Sequence, residues 1–139
     1  MTETQAIQQL INRYTDGCNR QDWPQVMACF TDDGEWVANG LTFAGAAQMQ
    51  PAMAGFLVPF AYFVQVNTPA VITVSGVTAT ARSTIREFGK FADRDEGLEV
   101  LGRYDDDIVH TPDGWKFARR TFHAYGLHRM PLSPGPALG

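Results

Sequence analysis

The chain has 139 residues, of which 45% are hydrophobic and 19% charged, and its formal net charge is −4. That length fits one domain with a packed core, and the composition is globular rather than disordered. An acidic balance without a Lys/Arg cluster excludes nucleic acid and anionic membrane surfaces as expected partners. No apolar leader or bilayer-length apolar run is present, so a cytoplasmic location off the membrane is expected.

Thr2 or Thr4 can cap a first helix, in which Ala6, Ile7, Leu10, Ile11 and Tyr14 recur at helical spacing and form one apolar stripe. Asp22 caps a second helix with Pro24 in its first turn, where the missing N–H costs nothing. Val26, Met27 and Phe30 give its inner face, TDDG reads as a turn, and EWVANG as a short strand. Residues 44–60, rich in small side chains and interrupted or started by Pro51, read as a third helix.

From there the pattern changes to long strands, predicted at 61–75, 77–91, 98–110 and 115–127. SG, ADRDEG and TPDG separate them as turns. Helices followed by an antiparallel meander indicate an α+β fold. One domain over residues 1–127 and an irregular Pro/Gly-rich tail over 128–139 are expected.

Cys18 and Cys29 fall in helical pattern and are expected as free buried thiols. Neither they nor His110, His123 and His128 have metal-ligand spacing, so no metal or cofactor is expected. Along the late strands, Arg82, Thr84 and Arg86 share one face, Tyr104 and Asp106 share another, and Trp115, Phe117, His123 and Tyr125 are read as a third.

The pieces IQQLINRYTDGCNRQDW, CFTDDGEW, FAG at 43–45, NTPAVITVSGVTATA, GRYDDD and PDGWKFARR follow one another in an order that resembles the SnoaL-like polyketide-cyclase group of the nuclear transport factor 2-like superfamily. The resemblance covers nearly the whole chain. It implies a cone-shaped barrel, a curved antiparallel sheet wrapped around three N-terminal helices, with a deep apolar pocket. It also implies homodimers packed through the sheet. The apolar and aromatic side chains of strands 77–127, more than one concave face can bury, point the same way.

In dehydratase and dehydrochlorinase members of the group, an Asp near the end of the first helix orients a His on an early long strand, and that His is the base. Carried over, the Asp position falls on Asn19 and the His position on Phe63. An Asn cannot stabilise an imidazolium and a Phe cannot accept a proton. Gln65 shares the strand face of Phe63. By the same resemblance Tyr14 stands at a catalytic-tyrosine position, Trp36 and Phe43 at pocket walls, and Arg120 and His123 at pocket-lining positions.

Strict alternation puts 120 and 123 on opposite faces, so both face inward only if the strand carries a bulge between them. The expected constellation is therefore a relocated pair, His123 as base with Asp106 orienting its ring. Tyr14 and Arg120 would be donors to developing negative charge. Asn19, Trp36, Phe43, Phe63, Gln65 and Tyr104 would contact substrate.

The expected function is a cofactor-independent lyase or isomerase working by acid–base catalysis on a small hydrophobic molecule, aromatic or polycyclic. The reaction would be elimination, isomerisation, cyclisation or retro-aldol cleavage. The competing class is a non-catalytic domain that binds an apolar ligand or a second copy. A cavity shared by His123 and Asp106 favours the first; a purely apolar cavity favours the second.

Overall fold

A computed structural model describes residues 1–135 of the chain. Three helices, α1 (Glu3–Arg20), α2 (Trp23–Met27) and α3 (Ala46–Leu57), accompany seven strands. The strands are β1 (Phe30–Ala38), β2 (Leu41–Ala44), β3 (Phe60–Asn67), β4 (Val71–Ser75), β5 (Thr78–Phe91), β6 (Glu96–Thr111) and β7 (Gly114–Pro131). The sheet runs β2-β1-β7-β6-β5-β3, with β4 beside β3 on β5. It curves without closing. Every pairing is antiparallel except β1 with β7. This is the α+β cone expected of the resemblance.

Thr2 caps α1 with a reciprocal box, accepting from the Gln5 backbone while the Gln5 side chain accepts from its own N–H. The apolar stripe then buries Ile7, Leu10 and Ile11 completely. Together with Ile108 and Phe117 they fill one end of the cone, at about 1.5–3 kcal/mol for each fully buried side chain. Towards its C-terminus α1 carries smaller or polar residues, Gly17, Cys18 and Asn19, and leaves the other end of the cone unfilled. Gly17 is required there: a Cβ would lie 2.9 Å from Val26 Cγ2 of α2. α3 closes over the gap, burying only Met49 and Met53. It runs straight through Pro51 rather than stopping or starting at it.

Three elements depart from the sequence reading. TDDG is not a turn after α2 but an outward excursion within β1, where the pairing to β7 jumps between Phe30 and Glu35. The predicted strand 61–75 is two strands, broken at Thr68-Pro69-Ala70, because Pro69 has no N–H to give the ladder. Finally, the strand predicted to end at 127 continues to Pro131, pairing Glu96 with Pro131, so the tail is irregular only from 132 among the described residues.

β7 carries two bulges. Its register against β6 slips by one residue at Ala118, between Phe117 and Arg119, and again at Tyr125, between Ala124 and Gly126. Bulges of this kind bend a strand and sharpen its twist. They also decide which side chains face inward.

Candidate functional site

The unfilled end of the cone holds a cavity of about 90 Å³. Tyr14, Cys18 and Asn19 of α1 form one side, and Met53, Phe56 and Leu57 of α3 form another. Trp36 from β1, Phe63 and Gln65 from β3, Glu87 from β5, Tyr104 from β6 and Phe122 from β7 complete the wall, with Trp23, Ala38 and the exposed Asn39 nearer the mouth. Of the six expected substrate-contacting residues, Asn19, Trp36, Phe63, Gln65 and Tyr104 line this space. Phe43 does not; it stacks on the Trp36 ring from behind, with centroids 5.6 Å apart.

The structure overturns the relocated pair. Asp106 stands opposite Arg120 in the β6–β7 ladder, and His123 stands opposite Arg103. Neither bulge of β7 falls between 120 and 123, so alternation holds there and the two residues point to opposite sides. His123 lies on the outer face, 43% exposed, its Nε2 3.0 Å from Asp105 Oδ2. The same carboxylate accepts from Arg103 Nε at 3.0 Å. It is Asp105, not Asp106, that meets the imidazole. The Ala118 bulge also separates Trp115 and Phe117, which are buried, from the exposed His123 and Tyr125 read as sharing their face.

Arg120 faces inward but does not reach the cavity. It is fully buried, and its Nε donates to Asp106 Oδ1 at 3.0 Å. Its guanidinium carbon lies 3.8 Å from the Tyr104 ring centroid, 4.3 Å from that of Tyr14 and 4.6 Å from that of Phe117. The aromatic faces satisfy the cation in place of further acceptors, and Nη1 and Nη2 have no hydrogen-bond partner. A guanidinium so enclosed cannot donate to a substrate. Burial raises the Asp106 carboxyl to about 6 against the opposing pull of Arg120.

On the cavity side of those rings, the Tyr14 and Tyr104 hydroxyls lie 3.3 Å apart. Burial holds both phenols above their usual range. One hydroxyl donates to the other, which leaves the second with a hydrogen free to donate elsewhere. Burial likewise pushes the Cys18 thiol up to about 12, so it is a neutral wall group rather than a nucleophile.

Asn19 has a definite job. Its Nδ2 donates to the Gln65 carbonyl at 3.0 Å and its Oδ1 accepts from the Gln65 N–H at 2.8 Å. β3 is an edge strand, and the amide satisfies both backbone groups of Gln65 that a further strand would otherwise take. Asn19 thus holds the edge strand with both polar atoms of its side chain while lining the cavity.

Glu87 is a wall residue that the sequence reading does not single out. Its neighbour Arg86 pairs with Glu99 at 2.8 Å, and Glu87 takes no part in that pair. In β5, Ala79, Ala81, Ser83 and Ile85 are buried and the residues between them exposed, so position 87 continues the inner row. It sits opposite Gln65 across the β3–β5 ladder. Burial raises its carboxyl to about 7, with Arg120 pulling weakly the other way. The signal was present in the alternation TATARSTIREF, one charged residue in register with alanines and an isoleucine. A carboxyl poised near neutrality in an apolar cavity can both take and return a proton.

The SnoaL-like domain family matches residues 1–121. Among solved structures, a Novosphingobium aromaticivorans protein provisionally described as an aromatic ring hydroxylase is 25% identical with a TM-score of 0.83, over 92% of this chain and 93% of its own. A second protein from that organism, provisionally described as a scytalone dehydratase, is 21% identical with a TM-score of 0.82, over 100% and 98%. The hexachlorocyclohexane dehydrochlorinase LinA-type3 of Novosphingobium barchaimii is 16% identical with a TM-score of 0.85, over 94% and 93%. No curated protein matches the chain.

Proposed function

The chain belongs to the SnoaL-like domain family, and from that premise we propose that it is a cofactor-independent acid–base enzyme of the lyase or isomerase kind, acting on a small hydrophobic molecule held in the cavity. Glu87 is the proton-carrying group. The observation that carries this reading is its position: the one carboxyl on the described wall, on the inner face of β5, with no cation in contact and its basicity raised to about 7. As carboxylate it removes a proton from carbon next to a carbonyl; as acid it returns one. The hydrogen that the Tyr14–Tyr104 contact leaves free is the donor to the charge that develops on the substrate oxygen in this reading. Likeness to a dehydrochlorinase and to a protein provisionally described as a scytalone dehydratase supports a lyase-type reaction and not its substrate.

Hydrogen–deuterium exchange tests the step directly. Cyclohexanone in D₂O, followed by proton NMR, is expected to lose its α-hydrogens faster with the protein than without. The rate should rise with pH through an inflection near 7, the value to which burial raises Glu87. Glu87→Gln should lower that rate by at least about a hundredfold, the low end for general acid–base catalysis. Equal rates for the two proteins overturn the proposal.

A further inference from the structure

Two polar atoms on the cavity wall are buried without a hydrogen-bond partner: Trp36 Nε1 and Gln65 Oε1. An unpaired buried polar group costs about 1–3 kcal/mol, so each marks a place where a ligand atom completes the site. The two come from distant parts of the sheet. Trp36 is on β1 and Gln65 on β3, with β7, β6 and β5 between them in strand order, and curvature brings both to one cavity. The indole N–H can only donate, so it faces an acceptor on the ligand. The Gln65 amide, 6% exposed and opposite Glu87, can accept and donate at the other wall.

Charge and size narrow the ligand further. No Lys, Arg or His lines the cavity among the described residues, and Arg120 is shut behind the Tyr14 and Tyr104 rings. An anion would meet the Glu87 carboxyl with nothing to compensate it. A cation without an acceptor atom would leave the donor-only Trp36 N–H unpaired, whatever it gained from Glu87. The volume of about 90 Å³ is below the roughly 150 Å³ of an apolar cavity that takes up benzene. A single ring therefore fills it and extends into the mouth beside the exposed Asn39, and a fused four-ring skeleton does not fit.

We infer that the cavity takes an uncharged, single-ring molecule with a carbonyl or hydroxyl oxygen received by the Trp36 N–H and a second hydrogen-bonding group received by the Gln65 amide. This rests on the reading of the same cavity as the site of acid–base chemistry and names its substrate class.

The test is binding rather than turnover, so that the two readings fail separately. Four probes are titrated against the fluorescence of Trp23 and Trp36 and the indole ¹⁵N–¹H resonance of Trp36: 4-hydroxycyclohexanone, cyclohexanecarboxylate, cyclohexylammonium and progesterone. The hydroxyketone is expected to bind at least about tenfold more tightly than the others and to shift the Trp36 indole resonance. Trp36→Phe and Gln65→Leu should each weaken it about fivefold, the loss of one hydrogen bond. Tighter binding of the carboxylate, the ammonium or the steroid overturns the inference, as does unaltered affinity in Trp36→Phe or no binding at all. If the hydroxyketone binds as stated but no proton exchange is seen, the ligand class stands and the acid–base reading falls.

Discussion

Gln65 and Glu87 stand opposite each other across the β3–β5 ladder, on the inner face of the sheet, with the amide oxygen unpartnered and the carboxyl lacking a counter-charge. An arrangement of that kind lowers stability unless a ligand occupies it.

The lowered stability is measurable. Glu87 has its folded-state affinity for a proton raised, from an ordinary 4.5 to about 7. Below pH 4.5 both the folded and unfolded chains hold the proton and the residue costs nothing. Between 4.5 and 7 the unfolded chain releases it while the folded chain keeps it, so stability falls as pH rises, and above 7 the loss is constant. Glu87→Gln is therefore expected to match the wild type at pH 4 and to exceed it at pH 8 by on the order of 2–3 kcal/mol. Urea denaturation at the two pH values checks this; equal stability at both would remove the raised carboxyl.

Removing one member of the Arg120–Asp106 pair strands a buried charge. Arg120→Ala and Asp106→Asn should each cost about 3–5 kcal/mol, whereas Arg120→Met combined with Asp106→Leu should recover much of that loss. Denaturant unfolding of the two singles and the double separates the cases. Equal loss in all three would mean that the packing of Arg120 against Tyr14, Tyr104 and Phe117 outweighs its charge.

Asn19→Asp should carry a pH signature of its own. The amide both donates to and accepts from the Gln65 backbone, and an ionised carboxylate can only accept. The variant should lose about 1–3 kcal/mol at pH 7. The loss should shrink below the carboxyl range, where the protonated acid can donate again. Thermal melts from pH 3 to 7 would show it, and a flat difference would mean that the hydrogen bond to the carbonyl carries little.

His123→Ala should change neither α-proton exchange nor stability by more than about 0.5 kcal/mol, the ordinary range for a surface change. Its ring rests on Asp105, outside the sheet, where Arg103 already holds that carboxylate. A large loss of exchange activity would return the imidazole to the chemistry.

The sequence by itself determined the helices, the α+β class and the family. Capping residues, apolar spacing and turn dipeptides act within a few residues of one another, and Thr2, Asp22 and the Ile7–Tyr14 stripe each carry their own structural reason. It also pointed to Asn19 and Phe63, and both line the cavity. Only the tertiary structure decided which polar residues meet. The bulge at Ala118 fixes the parity of β7 from Arg119 to the second bulge at Tyr125, and one residue of slip sends a side chain to the other face. That parity placed Arg120 against Asp106 and His123 against Asp105. Glu87 was legible in principle, because alternation along β5 already set it on the inner row. What alternation could not show is that α1 narrows to Gly17, Cys18 and Asn19 and leaves a void at that level. A carboxyl in a void is a site, whereas the same carboxyl beneath a packed helix would be a fault in the core.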